Sequence, residues 1–288
     1  MKKKCALLFL NLVFIITSSF SFDWPQSEIQ SDSFHTYFAQ ERGGLLSPSL
    51  IFSGSDEIKA TDKGKVTVVL SEHEQEPDMF ESTLGNAVIV AHNDNLLTVY
   101  ANLSFEGQKE RYSLSTVETG TSFGVCGLSG WQKGSSLLEF QVIDTKAKAY
   151  VNPRLLMPRF GEEPVLSITN VTAQNKKGAD YDFNKTSRIP SGTYRIYMDR
   201  QNSSMHYKSL LLINGAIADT IKYDTLIEQK GKLCTDGKKP YTSKEIFPDN
   251  KKTLLGEITL PKGKNKITII ISDILGKEKS LTYNIDSY

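Results

Sequence analysis

The 288-residue chain is poor in the residues that most often hold metals or staple small folds, with three cysteines and four histidines. Cys5 lies near the start, ahead of an apolar run, and neither Cys126 nor Cys234 belongs to a C-x-x-C pair, which excludes a cysteine-built structural zinc site. Two readings of Cys126 and Cys234 stay open. They form one interdomain disulfide, or they are a buried strand residue and a loop thiol, since spacing does not reveal bonding distance. Charge of one sign is absent as well. Lys and Arg number 34 against 33 Asp and Glu, and no run of five or six like charges occurs, which argues against nucleic acid as a partner. Catalytic signatures are thin. Gly127-Leu128-Ser129-Gly130 does not meet G-x-S-x-G, and there is no P-loop, G-x-G-x-x-G or Asp-rich calcium loop.

One apolar run stands out, Ala6 to Thr17, behind Lys2, Lys3 and Lys4. It is shorter than the roughly 20 residues that span a membrane. Ser19-Phe20-Ser21 then supplies small residues for cleavage before Phe22. This pattern predicts a signal peptide over 1–21, export to the periplasm or beyond, and no stable membrane anchor after cleavage.

No helical period persists for 12 residues. Short apolar or alternating runs dominate instead: 65–70, 87–91, 96–101, 122–126 and 137–143, separated by turn-like stretches such as His92-Asn93-Asp94-Asn95 and the Gly/Ser-rich 127–134. The fold class is all-β. The pattern changes near Phe160-Gly161-Glu162-Glu163-Pro164, which places one domain at 22–160 and another at 161–288. In the second, runs at 165–171, 192–199, 209–213, 254–260, 266–272 and 280–285, with a long polar connector at 228–250, predict an immunoglobulin-like antiparallel sandwich.

The stretch 85–153 carries GNAVIVAHNDNLLTVYANL, then GTSFGVCGLSG, then LLEFQV and Asn152-Pro153, preceded by Phe38-Ala39-Gln40-Glu41-Arg42-Gly43 and by 58–66. That succession resembles the lysostaphin/LytM-type peptidoglycan zinc endopeptidases over residues about 38–153. The resemblance implies a LytM-type, duplicated-hybrid-motif β domain. In the active family, zinc is held by an H-x-x-x-D segment and the second His of H-x-H, leaving an open position for water. Here the H-x-x-x-D positions fall near Leu45 and Ser49, the H-x-H histidines on Leu137 and Glu139, and the His of Y-x-H-L on Asn102. Zinc is therefore expected in active relatives and not in this chain.

What the resemblance then implies is a non-catalytic, exported protein. It would bind peptidoglycan or a wall-hydrolase partner through a groove lined by Asn102, Trp131, Leu137 and Glu139, with Tyr100 in support. Strand alternation places Leu137, Glu139 and Gln141 on one face. Glu139 there is either a binder of cationic groups or a groove residue paired with a nearby Lys or Arg. Trp131 offers a stacking surface for a sugar ring or closes over its own hairpin. The alternative is an atypical zinc endopeptidase acting on peptidoglycan cross-links, with a site rebuilt from Glu72, His73, Glu74 and His92. A third reading makes both β domains purely structural envelope modules.

Overall fold

A computed structural model describes residues 22–72, 81–132, 135–159, 161–201 and 204–288. The expected signal peptide and His73 lie outside the described residues. The protein is nearly all β, with only short helices.

Turn chemistry sets the first half. Strands β1 (Phe34–Thr36), β2 (Glu41–Arg42), β3 (Leu45–Leu46), β4 (Leu50–Phe52), β5 (Glu57–Lys59) and β6 (Gly64–Leu70) lead into β7 (Ala87–Ala91) and β8 (Leu96–Ala101). Between β7 and β8, Asp94 and Asn95 both take positive φ, 63° and 64°. Asn and Asp tolerate that left-handed geometry, so the polar tip closes a tight hairpin. Gly43 and Gly44, at φ 60° and 80°, do the same between β2 and β3. After α1 (Gln108–Ser113) come β9 (Thr116–Val117), β10 (Ser122–Val125), β11 (Leu138–Asp144) and β12 (Ala149–Val151).

The main sheet runs β12-β11-β8-β7-β6-β9, with β4 on β11 and β1 on β4. Alternation gives it two unlike faces. One carries Leu50, Phe52, Val88, Val90, Tyr100, Leu138, Phe140 and Val142, all buried in one cluster. The Tyr100 ring lies 4.8 Å from Phe123 and 5.2 Å from Phe140. Each such buried ring or branched chain contributes about 1.5–3 kcal/mol. The opposite face is mixed: Ala87, Val99 and Ala101 pack with Ile89 and Ile143 in a smaller apolar cluster, and Glu139 lies opposite both Ala101 and Ile51 in the register.

The second half contains β13 (Thr172–Asn175), β14 (Asp180–Asp182), β15 (Arg188–Ile189), β16 (Gly192–Asp199), β17 (Lys208–Ile213), β18 (Ala216–Lys222), β19 (Thr225–Gln229), β20 (Lys232–Thr235), α2 (Ser243–Ile246), β21 (Lys252–Leu260), β22 (Gly263–Ser272) and β23 (Glu278–Ser287). Sheets β14-β13-β16-β21 and β15-β23-β22-β17-β18 form a sandwich. Ile196, Leu255 and Ile258 of the first sheet meet Leu211, Ile267 and Ile269 of the second in a common core. The sequence placed a strand at 165–171. Pairing instead begins at Thr172, while Ser167 is held by Gln201 Oε1 at 3.2 Å. The connector expected at 228–250 holds β20 and the capped turn α2, with Thr242 and Glu245 forming a capping box.

Hairpin β19–β20 leaves the sandwich and extends the first sheet, with Ala149 opposite Ile227 and Val151 opposite Thr225. Phe38 and Leu46 pack with Tyr197, Tyr223, Leu226, Tyr241 and Phe247 in a core shared by both halves. The halves are thus joined by a continuous sheet and a common core, not only by the 152–171 segment.

Candidate functional site

On that second face of the first sheet, the polar side chains converge on one carboxylate. Glu139 on β11 is 4% exposed. Its Oε2 accepts from Arg42 Nη1 at 2.9 Å and from Gln132 Nε2 at 3.0 Å, and its Oε1 accepts from the Ser49 hydroxyl at 2.5 Å. Gln141, two residues along on the same face, donates to Ser49 Oγ at 2.9 Å. Each contact follows from local structure. The Gly43-Gly44 turn folds Arg42 back over the sheet, and the pairing of β4 with β11 brings Ser49 alongside. Gly130 at φ 57° starts the turn that delivers Trp131 and Gln132. A buried carboxylate is tolerated because a guanidinium and two further donors replace its water.

Trp131 is the outermost member, 61% exposed, with the Arg42 guanidinium 5.5 Å from its ring. The indole and the partly exposed guanidinium face solvent, and the carboxylate, the hydroxyl and the two amides are buried behind them. Asn102, at φ 63°, is fully buried. Its Nδ2 donates to the carbonyls of Leu137 (2.7 Å) and Ser135 (3.0 Å), and its Oδ1 accepts from the Ser129 N–H at 2.7 Å. Asn102 therefore pins the 127–137 loop and presents no surface to a ligand. Tyr100 lies on the other face of the sheet. Its hydroxyl accepts from the Thr61 N–H at 2.8 Å, and burial pushes its pKa up. Leu137 is half-buried next to Asn102, and Leu45 is exposed on the β2–β3 hairpin.

Of the expected groove residues, Glu139 and Trp131 are brought together through Arg42, and Asn102 and Leu137 touch. Tyr100 belongs to the core behind them. Ser49, at a position the sequence comparison marked for a ligand, touches Glu139 at another. Arg42 and Gln132 were not singled out from sequence. They lie 97 and 7 residues from Glu139, and only the cation within Phe38–Gly43 offered a signal for the first.

These donors do not fit zinc. Three nitrogen, sulfur or carboxylate ligands are needed. Here one carboxylate faces a guanidinium, a hydroxyl and two amides. Among the described residues no group of three or more His, Cys, Asp or Glu could hold a metal ion. His92 stands at the far end of β7. Its Nδ1 meets the Lys63 carbonyl at 2.9 Å, its Nε2 meets the Thr98 hydroxyl at 2.7 Å, and its ring lies 5.0 Å from Phe22. Glu72 is at the near end, where its carboxylate accepts from the Gly130 N–H at 2.6 Å and its N–H reaches Asn86. The five residues of β7 separate Asn86 from His92, six steps and about 20 Å at the rise of a strand, so Glu72 and His92 do not meet. Cys126 and Cys234 are both free thiols. Burial pushes the Cys126 thiol up to about 11.

A zinc-containing peptidase from Vibrio cholerae, known from its crystal structure, is similar to part of the chain, with 18% identity and a TM-score of 0.30. The overlap covers 42% of this chain and 36% of the peptidase. A sequence-family model without a functional description matches residues 165–288. An uncharacterized protein of Treponema pallidum (strain Nichols) is 33% identical over 125 residues, which is 40% of this chain and 82% of that relative. At that identity and coverage of the relative, the chain belongs to the family of the Treponema pallidum protein.

Proposed function

We propose that the protein is a non-catalytic, peptidase-like component of the cell envelope that binds peptidoglycan or a wall hydrolase beside the closed Glu139 site. The observation that carries this reading is the convergence of Ser49 with Glu139, and of Asn102 with Leu137. These are positions where the LytM-type resemblance locates two zinc ligands and two assisting histidines, and here the one charged group among them, Glu139, is paired with the Arg42 guanidinium. Such a pair supplies no open coordination position and no group free to take a proton from water. Trp131 is the surface left for recognition, an aromatic face backed by a cation. Export follows from the leader-like 1–21 segment and supplies access to the wall.

The test is retention of the purified protein on isolated sacculi, read alongside release of peptide fragments. The expected outcome is retention that Trp131→Ala weakens at least fivefold, with no release of cross-link fragments. Absence of retention by sacculi and by wall-hydrolase preparations would remove the proposal. Fragment release abolished by a chelator would establish the endopeptidase instead.

A further inference from the structure

The hairpin β2–β3 is a two-stranded sheet of its own, outside the main sheet. Its two faces meet different halves of the molecule. Successive strand residues point to opposite sides, and residues paired across a ribbon share a side. Glu41 pairs with Leu46 and Arg42 with Leu45, so Glu41 and Leu46 share one face while Arg42 and Leu45 share the other. Leu46 is fully buried in one core with Tyr197, Phe247 and Leu254 of the second half, and β3 lies against β20 and α2. Arg42, on the opposite face, reaches Glu139 and the Trp131 ring. The hairpin is thus seated on the second half and presents its cation to the first.

Glu41 is the fastening. Its Oε2 accepts from Arg200 Nη1 at 3.0 Å, and its Oε1 accepts from the Gly44 N–H at 3.2 Å. One carboxylate therefore ties the residue that follows β16 to the turn that closes the ribbon. Arg200 is itself fixed. Its side chain is 13% exposed, its guanidinium lies 4.5 Å from the Phe247 ring, and its main-chain N–H donates to the Lys251 carbonyl at 2.6 Å. The same turn borders the indole, since a Cβ at Gly43 would lie 4.0 Å from the Trp131 ring. Glu41 and Arg42, consecutive and of opposite charge, each find a counter-ion on a different half. A partly exposed ion pair such as Glu41–Arg200 adds little to stability. What it fixes is position, and recognition groups work when their neighbours hold them to within about 0.5 Å.

We propose that Arg200 and Glu41 are positioning residues for the Glu139–Trp131 site. Through this pair the sandwich sets the place of the β2–β3 hairpin, and with it the Arg42 guanidinium and the indole beside it. The site is then a property of both halves. Its consequence for binding rests on the peptidoglycan reading; the positioning itself does not.

Fluorine NMR of protein labelled with 5-fluorotryptophan tests the proposal. The chain has two tryptophans, so two lines are expected, and Trp131→Phe assigns them. Arg42→Ala should move the Trp131 line and leave the Trp24 line in place. Arg200→Ala, at a residue whose partners are Glu41 and Phe247, should move the Trp131 line in the same direction by at least half as much. Arg200→Lys, which keeps a cation for Glu41, should return it at least halfway. Glu41→Ala, at a partly exposed position, should reproduce the Arg200→Ala shift. A Trp131 line that neither Arg200→Ala nor Glu41→Ala moves would overturn the proposal. So would equal displacement of both lines, unrelieved by Arg200→Lys, which marks a general loosening of the fold. Retention on sacculi separates the two readings. Arg200→Ala and Glu41→Ala should weaken it at least threefold, and no retention of the unmutated protein would remove the peptidoglycan reading while the fluorine lines still decide the positioning.

Discussion

Two buried polar regions flank the segment 37–49, and they have been resolved in opposite ways. At Glu139 every polar atom is matched: carboxylate to guanidinium, hydroxyl and amide. Around His206, which is 3% exposed, His206 Nε2, Ser204 Oγ and Tyr223 Oη have no hydrogen-bond partner among the described residues. The His206 and Tyr223 rings meet edge to face, 5.6 Å apart, beside a cavity of about 20 Å³. The first region keeps a charge pair. The second keeps its histidine neutral, because burial without a partner pushes its pKa down to about 4. Matched polar groups hold charge in the interior, whereas unmatched ones are stable only while uncharged.

The comparison is most strongly broken at Arg42. Arg42→Ala strands the Glu139 carboxylate, and the expected loss is about 2–3 kcal/mol, below the usual figure for a buried pair because Arg42 is partly exposed. The double variant Arg42→Met, Glu139→Leu should recover most of it. Urea unfolding of the three proteins decides this, and a loss under 0.5 kcal/mol for Arg42→Ala would mean that solvent, not the guanidinium, satisfies Glu139.

His206 gives the second region a pH signature. Unfolded, its imidazole protonates near 6.5; folded, at about 4. Between those values the unfolded chain binds the proton and the folded chain does not, so stability is full above pH 6.5 and falls as pH drops towards 4. The loss reaches about 3 kcal/mol at about 1.36 kcal/mol per unit. His206→Gln should flatten that slope in melting curves recorded from pH 7 to 4.5. An unchanged slope would place the acid sensitivity elsewhere.

A pair of hydroxyl deletions sharpens the contrast. Tyr100→Phe leaves the buried Thr61 N–H without its acceptor and should cost about 1–2 kcal/mol. Tyr223→Phe removes a hydroxyl with no partner among the described residues and should change stability by less than about 0.5 kcal/mol, or raise it. Equal effects in denaturant titrations would erase the distinction. Trp131→Ala, at an exposed position, should shift stability least, within about 0.5 kcal/mol, while weakening retention on sacculi.

How much of this was legible in sequence depended on range. The hairpin 87–101 was readable to the residue, because apolar runs and an Asn/Asp tip are local signals. So was the face shared by Glu139 and Gln141, which needs only period-2 alternation. Strand β18 was not, since its bulge and its inward Asp219 invert the pattern while Ile217 faces out. The extension of the first sheet by β19–β20 was equally hidden, since sequence order says nothing of a hairpin pairing with a strand about 75 residues earlier. Absence of imidazole at the family's ligand positions could be read directly. That Arg42 would replace a cation there could not, because a contact across 97 residues is a property of the packed chain.

Calorimetric titration of the purified protein with zinc tests the central claim most directly. With Arg42 as the resident cation and no imidazole beside Glu139 among the described residues, no stoichiometric uptake is expected at micromolar zinc. One tightly bound zinc per chain, lost on Glu139→Ala, would contradict it.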